Sequence, residues 1–183
     1  LPERDRMAAD FAHMRQLGAN TLRLYTLPSS EVLEIILNSN LRVILDVPWE
    51  KHRCFLEDWS AQEDARNAVL RAARLAAGHP AVMAISVVNE FPNDVVRFYG
   101  HDRIARFVAE LADSVKQAAP DCLTTFANYP TTEFLQPDGL DFCSFNVYLD
   151  DMERLAGYLD RLQHIAGDTP LLLTEFGSDA QRH

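Results

Sequence analysis

Apolar runs of strand length alternate with runs of helical spacing along the whole chain, and this alternation is its strongest constraint. The strand-like runs fall at 19–26, 41–47, 79–90, 123–127, 140–148 and 169–175. Helical spacing of apolar residues falls at 1–17, 31–37, 60–77, 104–118 and 152–162, with a helical turn at 131–135. Gly18, Pro28, Pro48, Gly78, Pro92, Pro120 and Gly167 punctuate these runs, and Ser29, Ser30 and Ser60 stand where helices start. The segment 49–59 has mixed charge and no period, so it reads as a loop able to wall a site.

Nearly continuous apolar strands separated by helices mean a parallel sheet covered by helices, in the α/β class. An open doubly wound sheet and a closed (β/α)8 TIM barrel both satisfy the pattern. A dinucleotide-binding sheet needs a glycine-rich first turn. The strand-to-helix turns here read Thr26-Leu27-Pro28-Ser29, Val47-Pro48-Trp49-Glu50 and Asn89-Glu90-Phe91-Pro92, which contain no glycine. Each strand instead ends in polar or aromatic side chains: Arg23 and Tyr25, Asp46 and Trp49, Asn89 and Glu90, Asn128 and Tyr129, Asn146 and Tyr148, and Glu175. A barrel converges such ends on one mouth, which favours it. A full barrel takes about 250 residues, so 1–183 reads as one incomplete barrel domain, strands two to seven, with the first and last missing and flanking strands or domains supplied by a longer chain. Six strands leave two long edges, from which poor solubility or edge association is expected.

A net charge of −10 argues against nucleic acid or an anionic membrane surface as partner and suits a neutral carbohydrate. Cys54, Cys122 and Cys143 show no CxxC spacing and the six histidines no HExxH, so no metal or cofactor is expected. No apolar run approaches the roughly 20 residues of a membrane span, and no leader pattern is present, so compartment is left open.

Two of the strand ends carry glutamates, Glu90 after Asn89 and Glu175 after Thr174, as a paired-carboxylate site requires. At these residues the sequence resembles the clan A glycoside hydrolases, (β/α)8 enzymes with Asn-Glu at the end of strand four and Glu at the end of strand seven. His79-Pro80, Asn89-Glu90, Asn20 with Arg23, Asn146-Val147-Tyr148 and Thr174-Glu175-Phe176-Gly177 fall in the order of that clan. They are most similar to the family 2 barrel of β-galactosidases, β-glucuronidases and β-mannosidases. The run Leu17-Gly18-Ala19-Asn20-Thr21-Leu22-Arg23-Leu24-Tyr25 also resembles the family 72 β-1,3-glucanosyltransferases.

The resemblance implies a retaining β-glycoside hydrolase acting by double displacement, with Glu175 as nucleophile and Glu90 as acid/base. It implies that Arg23 and Tyr148 contact the nucleophile and that Asn89 binds the sugar 2-hydroxyl. One carboxyl must stay ionised and the other must hold a proton, so the two need different surroundings. Tyr25, Asp46, Trp49, His52, Asn128, Tyr129 and Asn146 are candidates to line the mouth. The alternatives are a β-glucan transglycosylase of the same fold and a non-catalytic polysaccharide-binding module of a larger enzyme.

Overall fold

The computed structural model describes residues 4–177. In chain order its elements are α1 (Arg4–Gln16), β1 (Thr21–Leu24), α2 (Ser30–Asn38), β2 (Arg42–Asp46), α3 (Trp59–Gly78), β3 (Val82–Asn89), α4 (Asn93–Tyr99), α5 (His101–Ala118), β4 (Leu123–Asn128), β5 (Cys143–Val147), α6 (Met152–Ala166) and β6 (Leu171–Phe176). The helix starts follow from local chemistry. Ser29 Oγ accepts from the Val32 amide, Asp58 from Ala61 and Asp151 from Arg154, each satisfying an otherwise unpaired N–H of the first turn. Helix α4 does not stand out in the sequence, because seven residues starting right after Pro92 are too few to display a period.

All pairings are parallel, and the strands lie in sequence order, β1-β2-β3-β4-β5-β6. Here the structure corrects the (β/α)8 TIM-barrel expectation: the sheet is an open, six-stranded half-barrel, and among the described residues no strand pairs β6 with β1. Strand spacing is about 4.8 Å, so six strands curl through an arc too short for backbone pairing to bring the ends together. Side chains span the gap instead. Arg23 on β1 reaches the Thr174 carbonyl on β6 at 3.2 Å, and below it lies a cavity of about 290 Å³ lined by β1, Ile44, Met83 and 172–174.

The main core lies between the sheet and helices α3 and α5. Ala61, Ala65, Ala68, Ala72 and Ala73 give α3 a smooth face against Ile104, Phe107, Val108, Leu111 and Val115 of α5. Within it, Phe55 stacks on Phe91, meets Tyr99 edge-on and lies tilted against Phe107, with centroids 5.3 to 5.8 Å apart. By contrast α1, whose Met7, Phe11 and Met14 suggest an apolar face, buries no residue fully. No helix among the described residues is long and apolar enough to cross a membrane, and the three cysteines are free thiols.

Helix α6 is tied down by one carboxylate. Glu133, after the short 3-10 turn Pro130–Thr132, accepts from Arg161 Nε at 2.7 Å, from the second Arg161 nitrogen, and from the Tyr158 hydroxyl at 3.0 Å. The Arg161 bonds hold the Glu133 carboxyl below its usual range, against the opposing effect of burial. A group depressed in the folded state contributes stability above its unfolded value of about 4.3, and that contribution is lost as pH falls through the folded value. Glu133→Gln therefore lowers Tm at pH 7, and the difference from wild type shrinks in thermal unfolding at pH 3. An equal Tm difference at both pH values would dismiss the tether.

Candidate active site

Every parallel strand points its C-terminal end the same way, so one rim collects Arg23, Asp46, Asn89, Glu90, Asn146 and Glu175. Arg23 organises it. Its Nε and one terminal nitrogen grip Asp46 at 2.6 and 3.0 Å, a two-point contact that matches the planar guanidinium to the carboxylate. The same nitrogen donates to Asn89 Oδ1 at 2.9 Å. The other terminal nitrogen donates to Glu175 Oε1 at 2.7 Å and lies 3.4 Å from Asn146 Oδ1. Asp46 is only 3 % exposed, so a buried carboxylate is compensated on one side of the guanidinium and Glu175 is drawn in on the other. Burial disfavours the Arg23 charge, but the contacts with Asp46 and Glu175 outweigh it and raise its pKa.

Glu175 accepts two further hydrogen bonds, from Tyr25 at 3.0 Å to Oε1 and from Tyr148 at 2.8 Å to Oε2. Three donors thus converge on one carboxyl group. The phenols are held as donors: burial and the bond to Glu175 push Tyr25 up to about 12, and the bond to Glu175 raises Tyr148.

Glu90 has different surroundings. Its Oε1 accepts from Asn146 Nδ2 at 2.6 Å, and its backbone N–H donates to the Ala127 carbonyl at 2.8 Å. Its φ is +47°, in the left-handed region, a conformation that costs a non-glycine residue about 1–2 kcal/mol. Such strain concentrates at functional positions, and here it turns the chain at the end of β3. Asn146 links the two glutamates: its Nδ2 serves Glu90 and Asn89, and its Oδ1 accepts from Thr174 Oγ1 at 2.8 Å beside Glu175. Because Arg23 and Asn146 both donate to Asn89 Oδ1, the Asn89 NH2 group is oriented away from them and has no protein partner among the described residues.

Other expected mouth residues sit differently. The Trp49 indole N–H donates to the Val87 carbonyl at 2.9 Å while its ring packs on Phe55, Phe91 and Phe107, so it anchors the loop after β2. Asn128 is buried, and its amide bonds Thr132, Leu135 and the Tyr129 N–H, bracing the following turn. Tyr129 is half-buried and His52 exposed. Lys51, by contrast, gave no signal in the sequence: a lysine in an aperiodic charged loop looks like surface, yet it is half-buried and within electrostatic reach of Glu90 and Asp46. Among the described residues no three His, Cys, Asp or Glu side chains are placed to hold a metal ion.

No protein-family model matches the sequence, and no curated protein matches it. Solved structures do share its fold. Bacteroides uniformis beta-glucuronidase 3 superposes with a TM-score of 0.77 at 22% identity, over 96% of this chain and 22% of that one. Parabacteroides merdae beta-glucuronidase gives 0.76 at 21%, over 96% and 22%. Bifidobacterium dentium beta-glucuronidase, complexed with coumarin-3-O-glucuronide, gives 0.79 at 17%, over 94% and 30%. The chain thus spans less than a third of each of these proteins, and what it has in common with these glycoside hydrolases is their fold.

Proposed function

We propose that this chain carries the catalytic carboxylates of a retaining β-glycoside hydrolase. The observation that carries the reading is the unequal treatment of two glutamates on one rim: Glu175 receives an arginine and two phenols, whereas the Glu90 side chain receives one amide. In the first step Glu175 attacks the anomeric carbon and the bond to the leaving oxygen breaks, while Glu90 gives that oxygen its proton. Arg23, Tyr25 and Tyr148 hold Glu175 in place, and the Asn89 NH2 group, without a partner among the described residues, donates to a sugar hydroxyl. In the second step the Glu90 carboxylate takes a proton from water, the water oxygen bonds the anomeric carbon, and Glu175 departs as carboxylate. The glycosidase names of the structural neighbours support the same reaction class.

Glu90→Ala tests the proton-transfer role in the intact protein. General acid catalysis contributes about 10²–10⁴-fold, so turnover of glycosides with a poor leaving group falls by that factor. A dinitrophenyl glycoside, whose leaving oxygen needs no proton, loses far less in the glycosylation step. Equal losses for both substrates would remove Glu90 from the acid role.

A further inference from the structure

Hydrogen-bond direction passes along the rim from a group that can work in only one sense. Arg23, clamped by Asp46, has donors and no acceptor. It therefore makes Asn89 Oδ1 an acceptor, through a bond of 2.9 Å. The Asn146 atom that meets this same oxygen at 3.0 Å must then be its NH2 nitrogen, Nδ2. The other side of the amide agrees, since Asn146 Oδ1 accepts from Thr174 Oγ1 at 2.8 Å and lies 3.4 Å from an Arg23 nitrogen. Asn146 is 2 % exposed. Turning its amide over would set oxygen against oxygen at Asn89 and N–H against N–H at Arg23, with no water at hand to satisfy either.

The chain of bonds ends at Glu90, whose Oε1 takes the second N–H of Asn146 Nδ2 at 2.6 Å. An amide N–H cannot receive a proton from Oε1, and a protonated carboxyl accepts best at its carbonyl oxygen. Glu90 Oε2 has no hydrogen-bond partner among the described residues. We propose that Asn146 is a positioning residue that keeps Oε1 as the carbonyl oxygen of Glu90 and so holds the acid proton on Oε2. This assignment rests on the acid/base role proposed for Glu90. In the first step the Oε2 proton passes to the leaving oxygen as the bond from that oxygen to the anomeric carbon breaks and Glu175 bonds the carbon. In the second step Oε2 takes a proton from the attacking water.

Asn146→Asp and Asn146→Ala test this in the intact protein. The quantity read is kcat/KM for a glycoside with a poor leaving group and for a dinitrophenyl glycoside, whose leaving oxygen needs no proton. At pH 7 the carboxylate introduced by Asn146→Asp faces Glu90 Oε1 as an acceptor and draws the proton to that oxygen. Activity on the poor leaving group then falls about 10²-fold or more, toward that of Glu90→Ala, while the dinitrophenyl glycoside loses far less. At pH 5 more of the introduced carboxyl is protonated, because two touching carboxyls share protons. It donates to Oε1 again, and the deficit against wild type shrinks. Asn146→Ala loses about tenfold, the worth of one hydrogen bond to a charged group, again on the poor leaving group, and this deficit does not shrink at pH 5. The other ionisable groups around the two side chains, Arg23, Tyr25, Asp46, Lys51, Tyr148 and Glu175, are common to wild type and both variants. A role in packing alone predicts that the near-isosteric Asp costs less than Ala at every pH and that both substrates lose alike, and either result overturns the inference. Circular dichroism checks the fold, and should Asn146→Asp not fold, the leaving-group split in Asn146→Ala decides. A split in Glu90→Ala with none in the Asn146 variants overturns this assignment alone, whereas no split in Glu90→Ala, or no turnover by wild type, overturns the acid role and the assignment together.

Discussion

Glu175→Gln lowers turnover of aryl β-glycosides by about 10⁴-fold or more while the protein stays folded. A nucleophile that forms the covalent intermediate has no substitute in the site, and removal of such groups costs enzymes about 10⁴–10⁶-fold in kcat. Gln retains the shape of Glu, and its Oε1 can still accept from Arg23 and Tyr25 at the positions now 2.7 and 3.0 Å away. Its Nε2 meets the Tyr148 hydroxyl, which can turn from donor to acceptor. The expected stability cost is therefore limited to one charge-assisted network, about 1–3 kcal/mol. Circular dichroism and thermal unfolding check the fold, and initial rates check the chemistry. NMR of the first product anomer in wild type checks the stereochemical course, since double displacement gives net retention. Unaltered rates in the variant, or an inverted product from wild type, would end the double-displacement reading.

Arg23→Met produces the largest loss of stability we expect from a single change at the rim. The Arg23 side chain is 10 % exposed and the Glu175 side chain 19 %, with Asp46 buried beside them, so two carboxylates lose their shared cation in surroundings that hydrate them poorly. Breaking a buried pair by removing one partner costs about 3–5 kcal/mol, a large part of the 5–15 kcal/mol typical of a whole protein. The bonds to Asn89 and the Thr174 carbonyl go as well, so the side-chain bridge between β1 and β6 opens. Arg23→Lys keeps the charge but not the two-point geometry, and its cost falls between. Adding Asp46→Asn to Arg23→Met should recover part of the loss, because the worst-buried anion is then neutral. Urea denaturation of the three variants measures this order, and an Arg23→Met protein as stable as wild type would show that the bridge is only decorative.

Much of the site is readable in one dimension because its members occupy strand ends. Asn89-Glu90 and Thr174-Glu175 close apolar runs that need no acid, Arg23 and Asn146 interrupt strands where apolar residues would pack better, and Tyr148 directly follows one. Parallel strands with helical returns place all such ends on one side, so neighbourhood follows from the alternation without any contact being known. Trp49 and Asn128 carry the same sequence signal but brace the loop after β2 and the turn after β4. A polar tip at a strand end satisfies a local backbone group as readily as a ligand, and spacing cannot tell these apart.

What the sequence determined by itself is the order and direction of the elements: α/β alternation, parallel pairing and two glutamates at strand ends. These depend on interactions within a few residues, namely hydrophobic period, caps and turn-forming glycines and prolines. Tertiary structure alone decided that the sheet stays an open half-barrel, that Arg23 spans its gap to Glu175, and that Glu90 takes a left-handed turn. Each of those depends on how far the strands curl and where a charge finds its counter-charge, and those distances are set between residues far apart in the chain.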